Sequence, residues 1–197
     1  MTTARDEELA LLFTEARTHS GWLDRPIDDA TLRRLYDLVR RGPTGGNTQP
    51  LRVVFVKSAA AKERLRPVLA PANVDKAISA PVTAIVAYDS QYFELMPKLF
   101  PARPDMRDVQ EKMPQDRRTY LALINSTLQA GYLILAARAL GLDCGPLGGF
   151  DTAKTDAEFF PDGRWRSTLL VNLGHGDPAK LHPRNPRLDF EEACRIV

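Results

Sequence analysis

Residues 42–50 read GPTGGNTQP, a composition that suits a loop binding a flat, polar ligand. Glycine lets bare backbone approach a ring closely, and an amide side chain both donates and accepts hydrogen bonds. Thr44, Gly45 and Asn47 are therefore candidates to bind a ligand's carbonyl and amide groups. A helix stop followed by an ordinary turn is the alternative explanation.

Two basic clusters lie near the two ends of the chain. The stretch ARTHSGW contains Arg17 and His19, and the proline-rich tail KLHPRNP contains His182 and Arg184. Arginine can bind a phosphate through two parallel hydrogen bonds. The alternatives are cations that stabilise the carboxyl end of a first helix, for Arg17 and His19, and a solvated arginine in the tail.

Two further motifs present polar groups at defined spacing. Asn73 and Lys76 lie three residues apart and share a face if PANVDK is helical, although a surface pair is the commoner meaning. The stretch CGPLGGF reads as a strand end that runs into a tight turn. Such a turn can present amide hydrogens to a ligand, or it can be an ordinary strand–turn–helix connection.

Several other chemistries are excluded by the sequence. His19, His175 and His182 show no HxxxH or HExxH spacing and no neighbouring Cys or carboxylate cluster, so we predict no metal site. The GxSxG, GxxxxGK[ST] and GxGxxG motifs are absent. A net charge of +2 is far below that of a typical nucleic-acid-binding domain, which favours a small-molecule substrate and no nucleic acid.

Size and composition predict one domain, 1–197, in the cytoplasm. The chain has 44% hydrophobic and 26% charged residues, ordinary values for a globular protein. Two cysteines without a CxxC motif predict reduced thiols, and the first ten residues lack the apolar core of a signal peptide. The apolar stretch 121–140 contains Asn, Ser, Gln and Arg, which favours a buried helix over a membrane span.

The elements that must position these motifs follow from apolar spacing, and they indicate an α+β fold. The 81–89 run is apolar on both faces, which predicts a central strand. The predicted helices cover 6–18, 28–41, 59–69, a short turn after Asn73, 118–140 and 151–160. The predicted strands cover 51–57, 81–89, 142–146 and 167–174.

Three segments carry predictions about mobility and assembly. Residues 100–118 are rich in proline and charge without clean periodicity, which predicts a mobile lid. The helix over 118–140 is apolar nearly all round, so we expect it to be covered on most sides, as at the centre of a dimer. Residues 177–197 are predicted to run over another surface, that of a partner subunit.

Taken in order, these motifs resemble the flavin-dependent nitroreductase superfamily over nearly the whole chain. PTGGNTQPLRVVFV matches its P-[ST]-x-x-N-x-Q-P loop and following strand. The Asn73–Lys76 pair, the PLGGF turn and the basic tail match its later motifs. The stretches LFTEARTHSGW, GLDCGPLGGFD and PRLDFEEAC are most similar to the malonic-semialdehyde (3-hydroxypropanoate) reductases of pyrimidine degradation.

The resemblance implies a nitroreductase-like fold, with a central, mostly antiparallel sheet flanked by helices, in a domain-swapped homodimer. It also implies two FMN molecules at the subunit interface, NADH or NADPH as reductant, and reduction of malonic semialdehyde. Arg17, His19, Lys76 and Arg184 would bind the phosphate and ribityl chain, and Asn73 the ring edge. The implied cofactor-binding residues are Arg17, Thr18, His19, Thr44, Gly45, Asn47, Asn73, Lys76, Pro146, Leu147, Gly148, Gly149, His182 and Arg184, with 44–47 contributed by the other subunit.

The sequence departs from the family's first motif, Arg-x-Ser-x-[Arg/Lys]. Gly21 stands where the second cation is expected, and His182 stands where many relatives carry Lys or Arg. Fewer permanent charges around a phosphate predict loose retention of the flavin. An acidic substrate would need a guanidinium partner, and Arg107, Arg117 and Arg118 flank the predicted lid. We favour Arg107 among them; a solvated charge run is the alternative.

Three other functions remain open at this point. The same site suits a broad nitro or quinone reductase. A non-catalytic flavin- or nucleotide-binding protein is a candidate of another class, and an unliganded structural dimer is the simplest reading.

Overall fold

The computed structural model describes residues 3–197, whose strands form a four-stranded sheet with the order β1-β2-β4-β3. Every neighbouring pair is antiparallel. The predicted strands are confirmed, and the run that is apolar on both faces is central. Their bounds are β1 (Leu51–Val56), β2 (Val82–Asp89), β3 (Asp143–Leu147) and β4 (Trp165–Gly174).

Helices flank both faces of this sheet, as the α+β prediction requires. The first helix, α1 (Asp6–Leu9), continues as a π-helical turn over Ala10–Thr14. A 3-10 turn over Pro71–Asn73 precedes α4. The other helices are α2 (Asp29–Val39), α3 (Ala59–Leu65), α4 (Val74–Ile78), α5 (Met96–Leu99), α6 (Met106–Glu111), α7 (Gln115–Ala139), α8 (Thr152–Phe159) and α9 (Phe190–Ala193).

The two-residue period of β2 divides its side chains between two core clusters. Ala84 and Val86 pack with side chains of α2 and α7 on one face. Ile85 and Ala87 pack on the other face with side chains of α3, α4 and the end of α8. Because β2 is covered on both sides, it fixes α4 and α7 on opposite faces of one rigid sheet.

Polar caps explain where three of the helices begin. The side chain of Asp28 accepts a hydrogen bond from the Thr31 amide at 2.6 Å. Ser58 caps α3, and Asp151 caps α8 in the same manner. Each cap satisfies an amide that has no partner inside its helix, so these helix starts follow from local sequence.

The first helix is shorter than the predicted 6–18, because the helical segment ends at Thr14. Residues beyond it are extended: Thr18 pairs in parallel with Cys144, and the His19 amide donates to the Cys144 carbonyl at 3.0 Å. Arg17 and His19 therefore do not close the carboxyl end of a helix. The explanation of these cations through a helix dipole was wrong.

Residues 100–118 are more regular than their composition predicted. They contain α6 and the first residues of α7, which begins at Gln115 rather than near 118. Pro114 directly precedes α7, a position where its missing amide hydrogen costs nothing. Lid motion of this segment stays a prediction.

One face of α7 belongs to the core and the other is exposed on this chain. Leu133 and Ala137 are buried, whereas Tyr120, Leu123, Ile124 and Leu128 are 52%, 41%, 48% and 45% exposed. By length and composition α7 could cross a membrane, yet it packs against the sheet as a core helix. The chain itself does not give α7 the nearly complete covering that the sequence predicted.

The tail packs first on its own chain. The Asp177 amide donates to the Gly21 carbonyl at 3.0 Å. Arg17 donates to the His182 carbonyl, and Arg184 donates to the Thr14 carbonyl at 2.9 Å. Beyond this contact the apolar residues are exposed: Leu188 is 70%, Phe190 54% and Ile196 89% exposed. Packing of residues 177–197 on a partner subunit stays a prediction.

Candidate active site

A cavity of about 600 Å³ lies where the segment after α1, α4, the end of β3 and the tail meet. Eight of the residues predicted for the site line this cavity. The outermost two, Arg17 and Arg184, are more than 160 positions apart in the sequence. The two sequence ends reach it because residues 14–17 and 182–184 are hydrogen-bonded to each other. The predicted residues that line it are Arg17, Thr18, His19, Lys76, Pro146, Leu147, His182 and Arg184.

The cavity is strongly cationic. No Asp or Glu is found among those of its lining residues that fall in 3–197. A dianionic phosphate would therefore meet several permanent charges without a competing carboxylate. The lining residues with a permanent positive charge are Arg17, Lys76, Arg138, Arg184 and Arg187.

Sequence reasoning missed Arg138 and Arg187. Arg138 was counted only as a polar residue that argues against a membrane span, and Arg187 was read as part of the tail. The available signal for Arg138 was its position in the last turn of an otherwise apolar helix. A charged side chain in such a helix needs a partner or solvent.

His19 is the most buried polar residue of the cavity wall, with 8% of its surface exposed. Its Nε2 lies 3.4 Å from Oδ1 of Asp143. Its Nδ1 is buried and has no hydrogen-bond partner within the described residues. A methyl group added to Gly176 would lie 1.8 Å from this nitrogen, so Nδ1 packs against the Gly176 backbone.

Asn73 and Lys76 are brought together at the start of α4 beside the PLGGF turn. The Asn73 side-chain amide donates to the Gly149 carbonyl at 3.1 Å, and the Lys76 ammonium donates to Asn73 Oδ1 at 3.4 Å. Asn73 directly precedes α4 rather than sharing a helical face with Lys76. The pair is thus an internal contact of the site, not the surface pair that was the alternative.

The two glycines of the turn face different surroundings. A methyl group added to Gly149 would lie 2.5 Å from the Asn73 amide nitrogen, so this position requires glycine. A methyl group added to Gly148 would meet nothing within 4 Å in this chain. Gly148 therefore presents open backbone to whatever binds beside it.

A buried polar network holds α4 against the sheet. The Trp22 indole and the Asn172 amide both donate to the Lys76 carbonyl at 3.1 Å. Lys62 donates to the Ala77 carbonyl at 2.6 Å and to the Thr83 hydroxyl at 2.8 Å. Burial lowers the pKa of Lys62 from 10.5 to about 8, because no carboxylate balances the desolvation of its ammonium group.

The GPTGGNTQP loop lies outside this cavity. Gly46, Asn47 and Gln49 have φ angles of 58°, 53° and 41°, a left-handed bend that glycine and asparagine tolerate. The Gly45 amide donates to Asn125 Oδ1 at 2.7 Å, and the Asn47 side chain donates to the Leu99 carbonyl at 2.7 Å. Thr44, Gly45 and Asn47 are not brought to the basic cavity of the same chain.

Polar side chains of α7 hold that loop, a role that sequence reasoning did not find. Besides Asn125, the Gln129 side chain accepts from the Leu51 amide at 3.1 Å. The Tyr132 hydroxyl donates to the Pro43 carbonyl at 3.0 Å. The spacing of 125, 129 and 132 places the three on one helical face. These residues position the loop at the amino end of β1.

Arg107, the candidate for a substrate carboxylate, lies on α6. Its guanidinium is 3.2 Å from Oδ1 of Asp108 and 3.5 Å from Oε2 of Glu111. Arg107 is not among the lining residues of the basic cavity. Within residues 3–197, no group of three or more His, Cys, Asp or Glu side chains could hold a metal ion.

The Nitroreductase family model matches residues 14–175, so the chain belongs to the nitroreductase family, NAD(P)H-dependent oxidoreductases that use FMN. A candidate NADH dehydrogenase/NAD(P)H nitroreductase of Ralstonia nicotianae is 57% identical over 197 residues, covering 100% of both chains. Its counterpart in Rhodopseudomonas palustris is 55% identical over 196 residues, covering 100% of this chain and 99% of that protein.

Solved structures support the same fold. A candidate nitroreductase of Bacillus subtilis superposes with a TM-score of 0.89 at 22% identity, covering 98% of this chain and 100% of that one. A candidate nitroreductase of Exiguobacterium sibiricum, solved in complex with FMN, has a TM-score of 0.87 at 19% identity, covering 100% and 99% of the two chains. The predicted nitroreductase-like fold and antiparallel sheet are confirmed.

The residues present fit FMN. The ligand's phosphate matches a cavity lined by permanent cations without carboxylates, and its polar ring edge matches the Asn73 side chain. Open backbone at Gly148 leaves space for a flat ring.

Proposed function

We propose that this protein reduces a small substrate with hydride from NAD(P)H through FMN, and that malonic semialdehyde, reduced to 3-hydroxypropanoate, is that substrate. The observation that carries the FMN assignment is the cationic cavity whose wall includes Pro146 and Leu147 of the PLGGF stretch. The substrate assignment rests on the resemblance of three sequence stretches to the malonic-semialdehyde reductases. We further propose that the protein acts in the cytoplasm.

Each predicted residue receives a role in this proposal. Arg17, His19, Lys76 and Arg184 bind the phosphate and ribityl chain, together with Thr18 and His182. Asn73 binds the edge of the ring. Pro146, Leu147, Gly148 and Gly149 line one face of the ring, and a glycine amide donates to it. Thr44, Gly45 and Asn47 come from the second subunit of a homodimer, which agrees with their absence from the cavity of their own chain.

Bound FMN supplies the two-electron hydride transfer that amino-acid side chains cannot perform. The chain supplies position and electrostatics. Asn73 is fixed by its bonds to Gly149 and Lys76, so it can orient a ring edge without losing much side-chain freedom. The cations neutralise the phosphate and so fix the ring relative to the open backbone at Gly148.

Broad nitro- or quinone reduction is the second candidate function. It is supported by the ion pairs of Arg107 with Asp108 and Glu111, since a guanidinium already paired with two carboxylates has less attraction for an acidic aldehyde. The relatives in Ralstonia nicotianae and Rhodopseudomonas palustris also carry nitroreductase names.

A comparison of initial rates tests the proposal. The protein is reconstituted with FMN, and oxidation of NADH and of NADPH is followed with malonic semialdehyde, menadione and nitrofurazone. The proposal expects the highest kcat/KM with malonic semialdehyde. Faster turnover of the quinone or nitro compound supports the second candidate, bound flavin without turnover supports a binding protein, and no bound flavin supports a structural dimer.

Replacement of Arg107 by Ala tests the substrate's carboxylate partner. We expect the KM for malonic semialdehyde to rise about tenfold while the KM for menadione stays unchanged, because only the aldehyde carries a carboxylate. Steady-state kinetics of both substrates measure this. The exposed arginine Arg34 of α2 provides a matched control as Arg34→Ala. Equal changes for both substrates in Arg107→Ala would remove this assignment.

A further inference from the structure

We propose that Arg138 of α7 binds the FMN phosphate and supplies the second cation that the first motif lacks. This inference rests on the proposed function, because it assigns a residue to the phosphate end of the same site. It concerns a side chain of the core helix, more than 115 positions beyond the motif whose missing charge it replaces.

The side chain of Lys180 covers the position of the missing cation. A methyl group added to Gly21 would lie 2.2 Å from Cδ of Lys180 and 2.9 Å from its Cβ. The stem of Lys180 thus occupies the space that a longer residue at position 21 would need. Lys180 itself does not line the cavity; its ammonium lies 3.9 Å from Oδ2 of Asp177. Neither position 21 nor Lys180 supplies a cation to the cavity, so a second cation would come from elsewhere in the fold.

Arg138 reaches the cavity from α7. It lines the cavity together with Arg17, His19 and Arg184, which hold the proposed phosphate site. It is half-buried, and none of the ion pairs found within residues 3–197 involves it. Glu15 and Asp143 line an adjoining cavity with Arg138, so carboxylates are near but do not form a pair with it.

The hydrogen-bonding of Arg138 is incomplete. Its Nη1 donates to the Leu12 carbonyl at 2.7 Å, which orients the guanidinium plane. Its Nε is buried and has no partner in the part of the chain that is described. Arginine carries five N–H donors and is always charged, so one carbonyl leaves most of its capacity unused. A phosphate dianion supplies both the countercharge and the acceptors.

The contact with Leu12 also prepares the side chain for binding. An arginine that is already held in one orientation loses less conformational entropy when it binds an anion. Leu12 and Thr14 both belong to the π-helical turn, and the Thr14 carbonyl accepts a hydrogen bond from Arg184. Arg138 and Arg184 are therefore fixed to the same turn from two sides of the cavity.

Binding of FMN and of riboflavin, which lacks the phosphate, tests this assignment in Arg138→Gln. The side-chain amide keeps a donor for the Leu12 carbonyl but removes the charge. We expect the Kd for FMN, measured by quenching of flavin fluorescence, to rise at least tenfold, with the Kd for riboflavin unchanged within twofold. Arg34→Gln, at an exposed arginine of α2, is the matched control and should change neither value.

The outcomes separate this inference from the proposed function. An unchanged FMN affinity in Arg138→Gln, or an equal loss for FMN and riboflavin, overturns the role of Arg138 and leaves it as a support for the first turn. A wild-type protein that binds neither flavin overturns the proposed function itself. Should the Gln variant not fold, Arg138→Lys decides: the proposal expects FMN alone to weaken at least threefold, and no change overturns it.

Discussion

At the scale of single residues, neighbours in the PLGGF turn are glycine for different reasons. Gly149 is required by Asn73 of the same chain, whose amide nitrogen occupies the space of a side chain. Gly148 has no such neighbour, so only a ligand or a second subunit can require its bare backbone. The family motif contains both glycines without distinguishing them. Their contacts show that a neighbouring side chain of the same chain restricts only Gly149.

Alanine variants of the two glycines should therefore differ. We expect Gly148→Ala to keep the Tm of the wild-type apoprotein and to raise the Kd for FMN at least tenfold, because the methyl group meets only the ring. Gly149→Ala should lower both the Tm and the FMN affinity, since it displaces Asn73. Thermal unfolding of the apoprotein and fluorescence titration measure the two effects. A normal FMN affinity in Gly148→Ala would contradict the proposed ring position.

Buried Lys62 gives a prediction about pH. Its folded-state pKa of about 8 lies below 10.5, so the unfolded chain binds more protons than the folded chain between about pH 8 and 10.5. The contribution of Lys62 to the free energy of unfolding therefore rises with pH across that window. In Lys62→Met this rise is lost. The difference in the free energy of unfolding between wild type and variant should therefore change by about 1 kcal/mol between pH 7 and 9.

Urea unfolding at several pH values measures this shift. Lys98→Met replaces an exposed lysine of α5 and should leave the pH profile parallel to that of the wild type. Parallel profiles for Lys62→Met as well would mean that the ammonium group is solvated in the folded protein.

At the scale of elements, α7 links this chain's cavity to the loop that the proposed homodimer would contribute to the partner's site. Asn125, Gln129 and Tyr132 hold the GPTGGNTQP loop, and Arg138, two turns further, reaches the basic cavity. A shift of α7 relative to β1 would thus move the loop and the cavity together. The polar residues of an apolar helix are explained by the backbone groups that they satisfy.

The elements that were predicted correctly depend on local signals. Asp28 and Ser58 cap their helices through bonds three residues away, and β2 was recognised by an apolar run of its own. The end of α1 was missed because Thr18 pairs with Cys144, which is 126 positions away. Arg138 was missed for the same reason, since its cavity forms only when both chain ends meet α7.

The site motifs were recognised from their residue types and spacing. Which of them meet in the cavity of one chain was not predicted. Lys76 and Arg184 meet in one cavity although 108 positions separate them. Thr44 and Gly45 match the family loop equally well, yet both remain outside that cavity. The Gly45 amide donates to Asn125 of α7, and the Thr44 hydroxyl accepts from the Gln49 amide within the loop. A motif states which residue types a ligand needs, whereas the fold decides which of them one subunit can provide.

At the scale of the whole molecule, the chain exposes an apolar face that extends along α7. Leu123, Ile124 and Leu128 are each more than 40% exposed, and so is Phe13 near the cavity. Apolar surface of this kind is typical of a subunit interface. The GPTGGNTQP loop is hydrogen-bonded to α7, so we expect a second copy that covers this face to lie close to the loop.

Replacement of Leu128 by Glu tests the homodimer. We expect the variant to sediment as a single chain of 22.0 kDa and to lose most of its FMN affinity, because a charge cannot be buried at an apolar interface and the partner's loop is then missing. Analytical ultracentrifugation and flavin titration measure both. Lys154→Glu, at an exposed residue of α8, should stay dimeric and bind FMN. A monomeric wild type that binds FMN would refute the shared site.

The crossing of residues 14–17 by residues 182–184 has a practical consequence for handling the protein. Arg187 lines the basic cavity, and only ten residues separate it from Val197. An affinity tag fused behind Val197 is therefore tethered within about 35 Å of the cavity. An acidic tag there would compete with an anionic ligand for the same guanidinium groups and repel that ligand.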